Sequence, residues 1–191
     1  MQEKPTVLVV DDNEDFIDGL VEFFSDDYYI MKANNAEEAY ALLEEKHGEI
    51  DVIVVDMWMP QDPGKNMDAA AGLDIVRRVC GYEGQIGLAP NVPILVLTGH
   101  SDLYQMWQCL TAGAFKYMLK SMPNFLEDLG RRIQEALDVQ LGSFVRRFTP
   151  KREIHAQLLQ ESGDSNKEEK AAIAHAIALL HQALAELESL R

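Results

Sequence analysis

The sequence has little cysteine, no long apolar run and a shortage of basic residues, and each shortage excludes a class of protein. Two cysteines in 191 residues are too few for a disulfide framework and are typical of a reducing compartment. No apolar run approaches the roughly 20 residues that a membrane-spanning helix needs. The first residues run directly into a strand-like segment, so we expect no signal peptide, no membrane association and a cytoplasmic protein.

The shortage of basic residues is confined to one part of the chain. The formal net charge is −15, from 17 basic and 32 acidic residues. The whole acidic excess lies in residues 1–142, whereas residues 143–191 are neutral overall. A surface this negative repels a phosphate backbone. The charge therefore argues against DNA as a partner and suits a site that collects a divalent cation.

Five short apolar runs alternate with amphipathic helical patterns up to about residue 141. The run Val52–Val55 is uninterrupted and β-branched, which is typical of a strand buried on both faces of a parallel sheet. We expect Pro60 to end regular structure after it, and Asn13, Asn35 and Ser101 to cap three of the helices. Alternating strands and helices require a parallel sheet with right-handed crossovers. We therefore predict an α/β, doubly wound, five-stranded parallel sheet with helices on both faces.

Four of the predicted strands end in residues with functional chemistry. Asp11 and Asp12 follow the first strand, Asp56 ends the third, Thr98 ends the fourth, and Lys120 follows the fifth. A single carboxylate at the end of a strand more often caps a loop than takes part in catalysis. The carboxyl ends of parallel strands, however, lie at one edge of the sheet, where ligands bind. We therefore expect these five side chains to converge on a single site.

The convergence predicts a particular chemistry. Three carboxylates in one small space repel one another, and Mg²⁺ relieves that repulsion while leaving room for phosphoryl oxygens. The Lys120 ammonium suits one phosphoryl oxygen, and the Thr98 hydroxyl can donate to another. Asp56 is then placed to attack phosphorus and form an acyl phosphate. The sequence predicts a magnesium-dependent site for phosphoryl transfer.

These motifs resemble the receiver domain of bacterial two-component response regulators over about residues 5–141. The matching motifs are Asp11-Asp12, Asp56-x-x-Met59-Pro60, Thr98-Gly99 and Tyr117-x-x-Lys120. The resemblance implies a flavodoxin-like strand order of 2-1-3-4-5. It assigns residues 1–142 to a receiver domain and leaves residues 143–191 as a C-terminal α-helical extension.

The resemblance also implies roles for single residues. Asp56 would accept a phosphoryl group from a sensor histidine kinase or a phosphotransfer protein. The three aspartates and the backbone carbonyl of Trp58 would bind Mg²⁺, and Thr98 with Tyr117 would form the switch pair. The protein would not be a conventional enzyme. It would catalyse only its own phosphorylation and dephosphorylation and would signal to a downstream protein through protein–protein interaction.

The sequence departs from the family pattern at two loops and beside the lysine. Extra residues at 61–71 and 81–91 lengthen the interval between the third and fourth strands. We expect both loops to border or approach the active edge, as partner-adapted loops or as tolerated surface insertions. The family places a proline directly after the lysine, whereas here Pro123 follows Lys120 only after two other residues.

Two further residues occupy positions that, in the family, tune how long the phosphoryl group lasts. Trp58 lies two residues after Asp56, and its bulk would shield an acyl phosphate from water. His100 lies two residues after Thr98. It either has a similar role or is a solvent-exposed loop histidine, and the sequence leaves both open.

The last 49 residues carry two features. Four basic residues cluster between Arg146 and Arg152, as a solvated linker or as a contact for nucleic acid or an acidic surface. Residues 167–191 are Ala-rich and helical, with an apolar stripe at heptad spacing. The stripe consists of Ile173, Ile177, Leu180, Leu184 and Leu187. It predicts a homodimer through residues 167–191, with a helical hairpin against residues 154–159 as the alternative.

The leading function is therefore a response regulator of a two-component phosphorelay. The alternatives are a receiver-like scaffold that works without phosphorylation, and a transcriptional regulator that uses the basic cluster 146–152. A magnesium phosphatase is disfavoured, because the position where such enzymes commonly carry an acid catalyst holds Trp58.

Overall fold

The computed structural model describes residues 4–62, 64, 66–68, 70–81, 87–99 and 102–141. These residues lie in the first of the two units into which the chain divides, Met1–Ser143 and Phe144–Arg191. The predicted extension 143–191, with its basic cluster and heptad stripe, lies outside the described residues and stays a prediction. Among the described residues, no helix is both long enough and apolar enough to cross a bilayer.

Five parallel strands form the central sheet, and two very short strands form a separate antiparallel pair. The strands are β1 Thr6–Val10, β2 Tyr29–Ala33, β3 Val52–Asp56, β4 Met59–Pro60, β5 Met67–Asp68, β6 Ile94–Thr98 and β7 Lys116–Leu119. The large sheet has the order β2-β1-β3-β6-β7. With the pair β4–β5 set aside, this is the predicted order 2-1-3-4-5, which is confirmed.

The five helices pack on the sheet as the alternating pattern requires. They are α1 Glu14–Phe24, α2 Ala36–Lys46, α3 Ala71–Cys80, α4 Leu103–Ala112 and α5 Phe125–Leu141. Apolar residues of α1 and α5 share one core cluster with alternate residues of β1 and β3, because side chains alternate between the faces of a strand. Helix α3 contacts both α2 and α4.

Two of the three predicted helix caps lie where the sequence put them. The side chains of Asn13 and Asn35 accept hydrogen bonds from the backbone N–H groups three residues later, at 3.0 and 2.9 Å. The third assignment is wrong. Helix α4 is capped by Asp102, whose carboxylate accepts from two backbone N–H groups, whereas Ser101 lies outside the described residues. A carboxylate at this position also favours the positive end of the helix dipole.

Strand β3 is the centre of the sheet, between β1 and β6. Every residue of Val52–Asp56 is buried, so the predicted burial on both faces is confirmed. Each large aliphatic side chain buried there stabilises the fold by about 1.5–3 kcal/mol. The same strand carries Asp56 at its carboxyl end, so the most buried element of the sheet also positions a charged group.

The loop after β3 is more regular than the sequence indicated. Met59 pairs with Asp68 and Pro60 pairs with Met67 in an antiparallel hairpin, so the prediction that Pro60 ends regular structure is wrong. A two-stranded ribbon tolerates proline because both of its strands are edges. The Gln61 carbonyl accepts the Glu37 N–H of α2 at 3.0 Å. The hairpin is thereby tied to the start of α2.

The described residues of the second inserted loop, 81 and 87–91, lie at the opposite edge of the sheet. The loop connects the carboxyl end of α3 to the start of β6, and β6 runs parallel to β3. The N–H groups of Leu88 and Ala89 donate to the carbonyls of Arg78 and Val79 at 2.9 and 3.2 Å. The loop therefore satisfies the last carbonyls of α3. The expectation that this loop approaches the active edge is wrong for its described residues, 81 and 87–91, and residues 82–86 lie outside the part of the chain that the structure describes.

Candidate functional site

The structure brings the predicted strand-end residues to one edge of the sheet. Asp11 follows β1, Asp56 ends β3, Thr98 ends β6 and Lys120 follows β7. The Asp11 N–H donates to Ala33 of β2 at 3.0 Å, and the Lys120 N–H donates to the Thr98 carbonyl at 2.8 Å. These backbone hydrogen bonds extend the strand pairing beyond the strand ends. They fix the backbone positions from which the functional side chains extend.

Three carboxylates face one another at this edge. One oxygen each from Asp11, Asp12 and Asp56 lies within 4.8 Å of the others. Asp11 and Asp56 are only 1% and 7% exposed, whereas Asp12 is exposed. The Asn13 N–H donates to the Asp11 carboxylate at 3.1 Å, which orients that side chain. The cluster is therefore open to solvent on the side of Asp12 and closed on the side of the sheet.

The Lys120 ammonium lies between the two buried carboxylates. Its Nζ atom is 2.6 Å from Asp11 Oδ2 and 3.5 Å from Asp56 Oδ1. It also lies 4.4 Å from the centre of the Phe16 ring. Although Ser121 follows Lys120 where the family has a proline, the Lys120 ammonium still lies at the site.

The carboxylates are held in an environment that disfavours their charge. The pKa of Asp56 is raised from 3.8 to about 6, chiefly by burial and also by the charge of Asp11, with Lys120 opposing the rise. Burial also raises the pKa of Asp11, although Lys120 is in direct contact with it. The single lysine offsets only part of the cost of two buried carboxylates. The site therefore favours a further positive charge.

The donor set fits Mg²⁺. A hard divalent cation takes a few carboxylate oxygens and keeps several waters, and three such oxygens lie within 4.8 Å of one another here. Asp56 Oδ1 is buried, and the Lys120 ammonium 3.5 Å away is too distant to donate a well-formed hydrogen bond to it. An oxygen in that state is suited to coordinate a cation or to react.

The remaining predicted site residues differ in how deeply they are buried. Thr98 and Tyr117 are fully buried, and Tyr117 pairs with Val96 inside the sheet, away from the strand end. Trp58 is half-buried in the turn between β3 and β4. His100 lies outside the described residues. The roles of these residues stay predictions.

Two residues next to the site escaped the sequence analysis. Met57 is buried between three elements: its N–H donates to Leu97, its carbonyl accepts the Gly72 N–H, and its sulfur accepts the Cys109 thiol at 3.3 Å. A Cβ added to Gly72 would lie 2.2 Å from the Asp56 carbonyl oxygen. The signal that could have revealed Gly72 is a glycine in the first turn of a helix, where it costs stability unless close packing needs it.

The comparisons with known proteins agree with this arrangement. The model of the response regulator receiver domain matches residues 7–134. A two-component response regulator of Arabidopsis thaliana, ARR12, is 30% identical over 124 residues, which are 64% of this chain and 18% of the relative. A putative NtrX-like response regulator of Rickettsia bellii is 25% identical over 119 residues, 62% of this chain and 22% of the relative. The chain thus spans about a fifth of the length of these curated relatives.

Solved structures show the same likeness. A receiver domain protein from Clostridium thermocellum superposes with a TM-score of 0.60 at 26% identity, covering 71% of this chain and 96% of that one. A response regulator from Burkholderia pseudomallei, solved with a phosphorylated aspartic acid, calcium ion and citrate, gives 0.56 at 27% identity and covers 74% of each chain. With its parallel sheet, its acidic cluster and its strand-end lysine, the chain belongs to the response regulator receiver domain family.

Proposed function

We propose that this protein is a response regulator that accepts a phosphoryl group on Asp56 from a sensor histidine kinase or a phosphotransfer protein. The observation that carries the proposal is the position of the Lys120 ammonium, 3.5 Å from Asp56 Oδ1, beside three carboxylates whose oxygens lie within 4.8 Å of one another. A nucleophile, a fixed cation and a set of metal ligands are what phosphoryl transfer requires of a protein.

In the proposed reaction an oxygen of Asp56 attacks phosphorus. A phosphorus–oxygen bond forms as the phosphorus–nitrogen bond to the donor histidine breaks, and the leaving imidazole takes a proton from water. Lys120 stabilises negative charge on the transferred group, and the Thr98 hydroxyl donates to another phosphoryl oxygen. The three aspartates and the Trp58 carbonyl would hold Mg²⁺, which would supply further charge stabilisation to the phosphoryl oxygens. Hydrolysis of the acyl phosphate by water resets the protein.

The output is proposed to be a protein–protein contact on α4. Helix Leu103–Ala112 contains no charged residue in a chain of net charge −15. Tyr104 is 66% exposed and stacks on Trp107, with ring centroids 6.0 Å apart. An exposed tyrosine stacked on a half-buried tryptophan, on a helix without charge, favours a protein partner. Thr98 and Tyr117 are proposed to couple the phosphoryl group to this face as the switch pair.

Three further assignments belong to the same proposal. The heptad stripe in residues 167–191 would form a homodimer, and the DNA-binding alternative for residues 146–152 is the weaker one because the tail is neutral overall. The protein would work in the cytoplasm, since both cysteines are free thiols and thiols persist in reducing compartments. The activity would be confined to its own phosphorylation and dephosphorylation.

Intact mass spectrometry after incubation with acetyl phosphate and Mg²⁺ tests the proposal. We expect one base-labile phosphoryl adduct in the wild-type chain, none in Asp56→Ala, and none when a chelator removes the metal. Absence of the adduct from the wild-type chain under all conditions would refute the proposal. A scaffold that works without phosphorylation would then be the better function.

The half-buried Trp58 gives a second, finer test. If its bulk shields the acyl phosphate from water, Trp58→Ala should speed the loss of the adduct after acetyl phosphate is removed. An unchanged rate of dephosphorylation would exclude the shielding role while leaving the phosphorylation itself intact.

A further inference from the structure

Besides two carboxylates, the ammonium of Lys120 contacts an aromatic ring, that of Phe16. Its Nζ atom lies 4.4 Å from the centre of the Phe16 ring, while Asp11 and Asp56 contact it at 2.6 and 3.5 Å. The lysine side chain is only 21% exposed. A cation held over an aromatic face at this distance is attracted by the ring quadrupole, and the attraction strengthens as water is excluded.

Phe16 is itself held in place from three sides. It lies in the first turn of α1, one helical turn after Asp12, and its N–H donates to the capping side chain of Asn13 at 3.0 Å. Its ring contacts the Phe125 ring of α5 at 6.0 Å between centroids. It also packs against the core cluster that α1 and α5 share with the sheet. The ring is therefore a fixed surface beside the site.

The loop that carries Lys120 fixes its main chain but leaves the side chain to other contacts. The Lys120 N–H donates to Thr98 at 2.8 Å, and the Met122 N–H donates to Leu119 at 3.2 Å. Both are backbone hydrogen bonds. The residue after the lysine is serine, so the chain lacks the proline that stiffens this place in its family. The position of the ammonium depends on what the side chain touches.

The two kinds of contact respond differently to chemistry at the site. Asp11 and Asp56 are themselves proposed metal ligands, and Asp56 is the proposed phosphoacceptor, so their charge toward Lys120 changes during the reaction. The Phe16 ring has no oxygen to coordinate a cation and does not titrate. Its attraction for the ammonium therefore does not depend on the charge of the carboxylates or on a bound metal.

We propose that Phe16 is a positioning residue that keeps the Lys120 ammonium beside Asp56 when the carboxylates change partners. The inference rests on the proposed function, since Lys120 must have a phosphoryl oxygen to bind. It predicts that the ring matters for binding of a phosphoryl group and not for binding of Mg²⁺ alone, because Lys120 is not a metal ligand.

The test compares Phe16→Leu with the wild-type full chain in two titrations followed by tryptophan fluorescence. The first adds Mg²⁺ alone. The second adds beryllofluoride, a mimic of the phosphoryl group, at saturating Mg²⁺. We expect Phe16→Leu to weaken beryllofluoride binding about 3- to 10-fold, the range expected from loss of a partly desolvated cation–π contact. The affinity for Mg²⁺ alone should not fall.

Two variants serve as controls. Phe16→Tyr keeps an aromatic ring and should restore beryllofluoride affinity to within about twofold of wild type. Phe23→Leu removes a ring from the same helix, where the side chain is 47% exposed and contacts Phe24 instead of the lysine, and should leave both titrations unchanged. If Phe16→Leu fails to fold by circular dichroism, Phe16→Met takes its place, because its unbranched, flexible side chain removes the ring and can adapt to the space that the ring leaves.

The outcomes separate this inference from the proposed function. Equal beryllofluoride affinity in wild type and Phe16→Leu overturns the inference, and so does a Phe16→Tyr variant as weak as Phe16→Leu. A parallel loss of Mg²⁺ affinity also overturns it, because the role would then be structural. Failure of the wild-type chain to bind beryllofluoride refutes the proposed function and the inference together.

Discussion

The two inserted segments, 61–71 and 81–91, both contain glycine and proline, but their described residues lie at opposite edges of the sheet. The first follows β3 and forms the hairpin Met59–Asp68 beside the acidic cluster. The second follows α3 and packs residues 87–89 on the end of that helix. In a parallel sheet, a loop that follows a strand borders the site, whereas a loop that follows a helix does not. Topology, not composition, decides which insertion can touch the chemistry.

A glycine packs closely against backbone at each of these segments: Gly72 in the first turn of α3, and Gly87 before β6. A Cβ on Gly72 would lie 2.2 Å from the Asp56 carbonyl oxygen, and a Cβ on Gly87 would lie 2.0 Å from the Val79 carbonyl oxygen. Neither φ angle is positive, so the constraint is space and not backbone conformation. The two positions pose the same steric demand, one beside the proposed phosphoacceptor and one far from it along the chain.

The largest expected effects come from replacing these glycines. Gly72→Ala and Gly87→Ala should each lower the free energy of unfolding by about 2–4 kcal/mol, because backbone must move to admit the methyl group. Only Gly72→Ala should also weaken Mg²⁺ binding, since the displaced peptide joins Asp56 to Met57. Urea unfolding and a Mg²⁺ titration measure the two quantities.

Gly19→Ala is the matched control for both variants. Gly19 lies within α1, and a Cβ there would meet nothing within 4 Å. The substitution should therefore stabilise the protein by about 0.5–1 kcal/mol through helix propensity. Equal loss of Mg²⁺ affinity in Gly72→Ala and Gly87→Ala would show that the two edges of the sheet are coupled. The two inserted loops would then not differ in their effect on the site.

The second-largest expected effect is a dependence of the free energy of unfolding on pH, caused by the buried Asp56 at the active edge. The pKa of Asp56 is raised to about 6 from 3.8 by burial, so between these values the folded state binds more protons than the unfolded state. Stability is therefore lost as pH rises through about 6. Without divalent cations, the free energy of unfolding should fall by about 1 kcal/mol from pH 5 to 7.

Urea unfolding in a chelating buffer at several pH values measures this slope. Asp56→Asn should reduce the slope to the part contributed by Asp11, whose pKa is also raised by burial, and raise stability at pH 7 by up to about 3 kcal/mol, the cost of charging the buried carboxyl. Glu44→Gln, a change on α2 near the second loop, should leave the slope as it is in wild type. A wild-type slope of the opposite sign over this range would mean that Lys120 outweighs burial.

The sequence predicted the sheet and the convergence of site residues because both follow from strong local patterns. The β3 run Val52–Val55 has no polar interruption, and the functional residues stand directly at strand ends. Parallel topology then brings Asp11, Asp56 and Lys120 together whatever the loops do. Every fact needed for that inference was present in the order of elements.

The parts that escaped prediction depend on contacts between distant segments. The strands Met59–Pro60 and Met67–Asp68 have two residues each, too few to show a period of two. Phe16 and Lys120 are far apart in the chain, and nothing local in α1 distinguishes an aromatic that faces the lysine from one that faces the core. The position of residues 87–89 is an exception among these unpredicted features. The predicted order of strands and helices already implied the edge at which they lie.

A smaller effect is expected at the hairpin. The Asp68 carboxylate accepts hydrogen bonds from the Ala70 N–H at 2.8 Å and from the Gln61 side chain at 3.0 Å, and these bonds lower its pKa. Asp68→Ala should cost about 1 kcal/mol in urea unfolding. Asp68→Asn keeps an acceptor oxygen and should cost less. Equal losses in the two variants would mean that the hydrogen bonds do not stabilise the hairpin.

The smallest effect is expected at the opposite edge, where Arg78 is half-exposed. Its guanidinium lies 4.3 Å from the centre of the Tyr40 ring and 3.6 Å from Glu44. Arg78→Ala should lower stability by about 0.5–1 kcal/mol, because exposed ion pairs and cation–π contacts contribute little. The Arg78 carbonyl that receives the Leu88 N–H is backbone and remains. Because this edge carries no proposed metal ligand, the Mg²⁺ affinity of Arg78→Ala should match that of wild type. A lower Mg²⁺ affinity in this variant would mean that α3 transmits strain to Asp56 through Gly72.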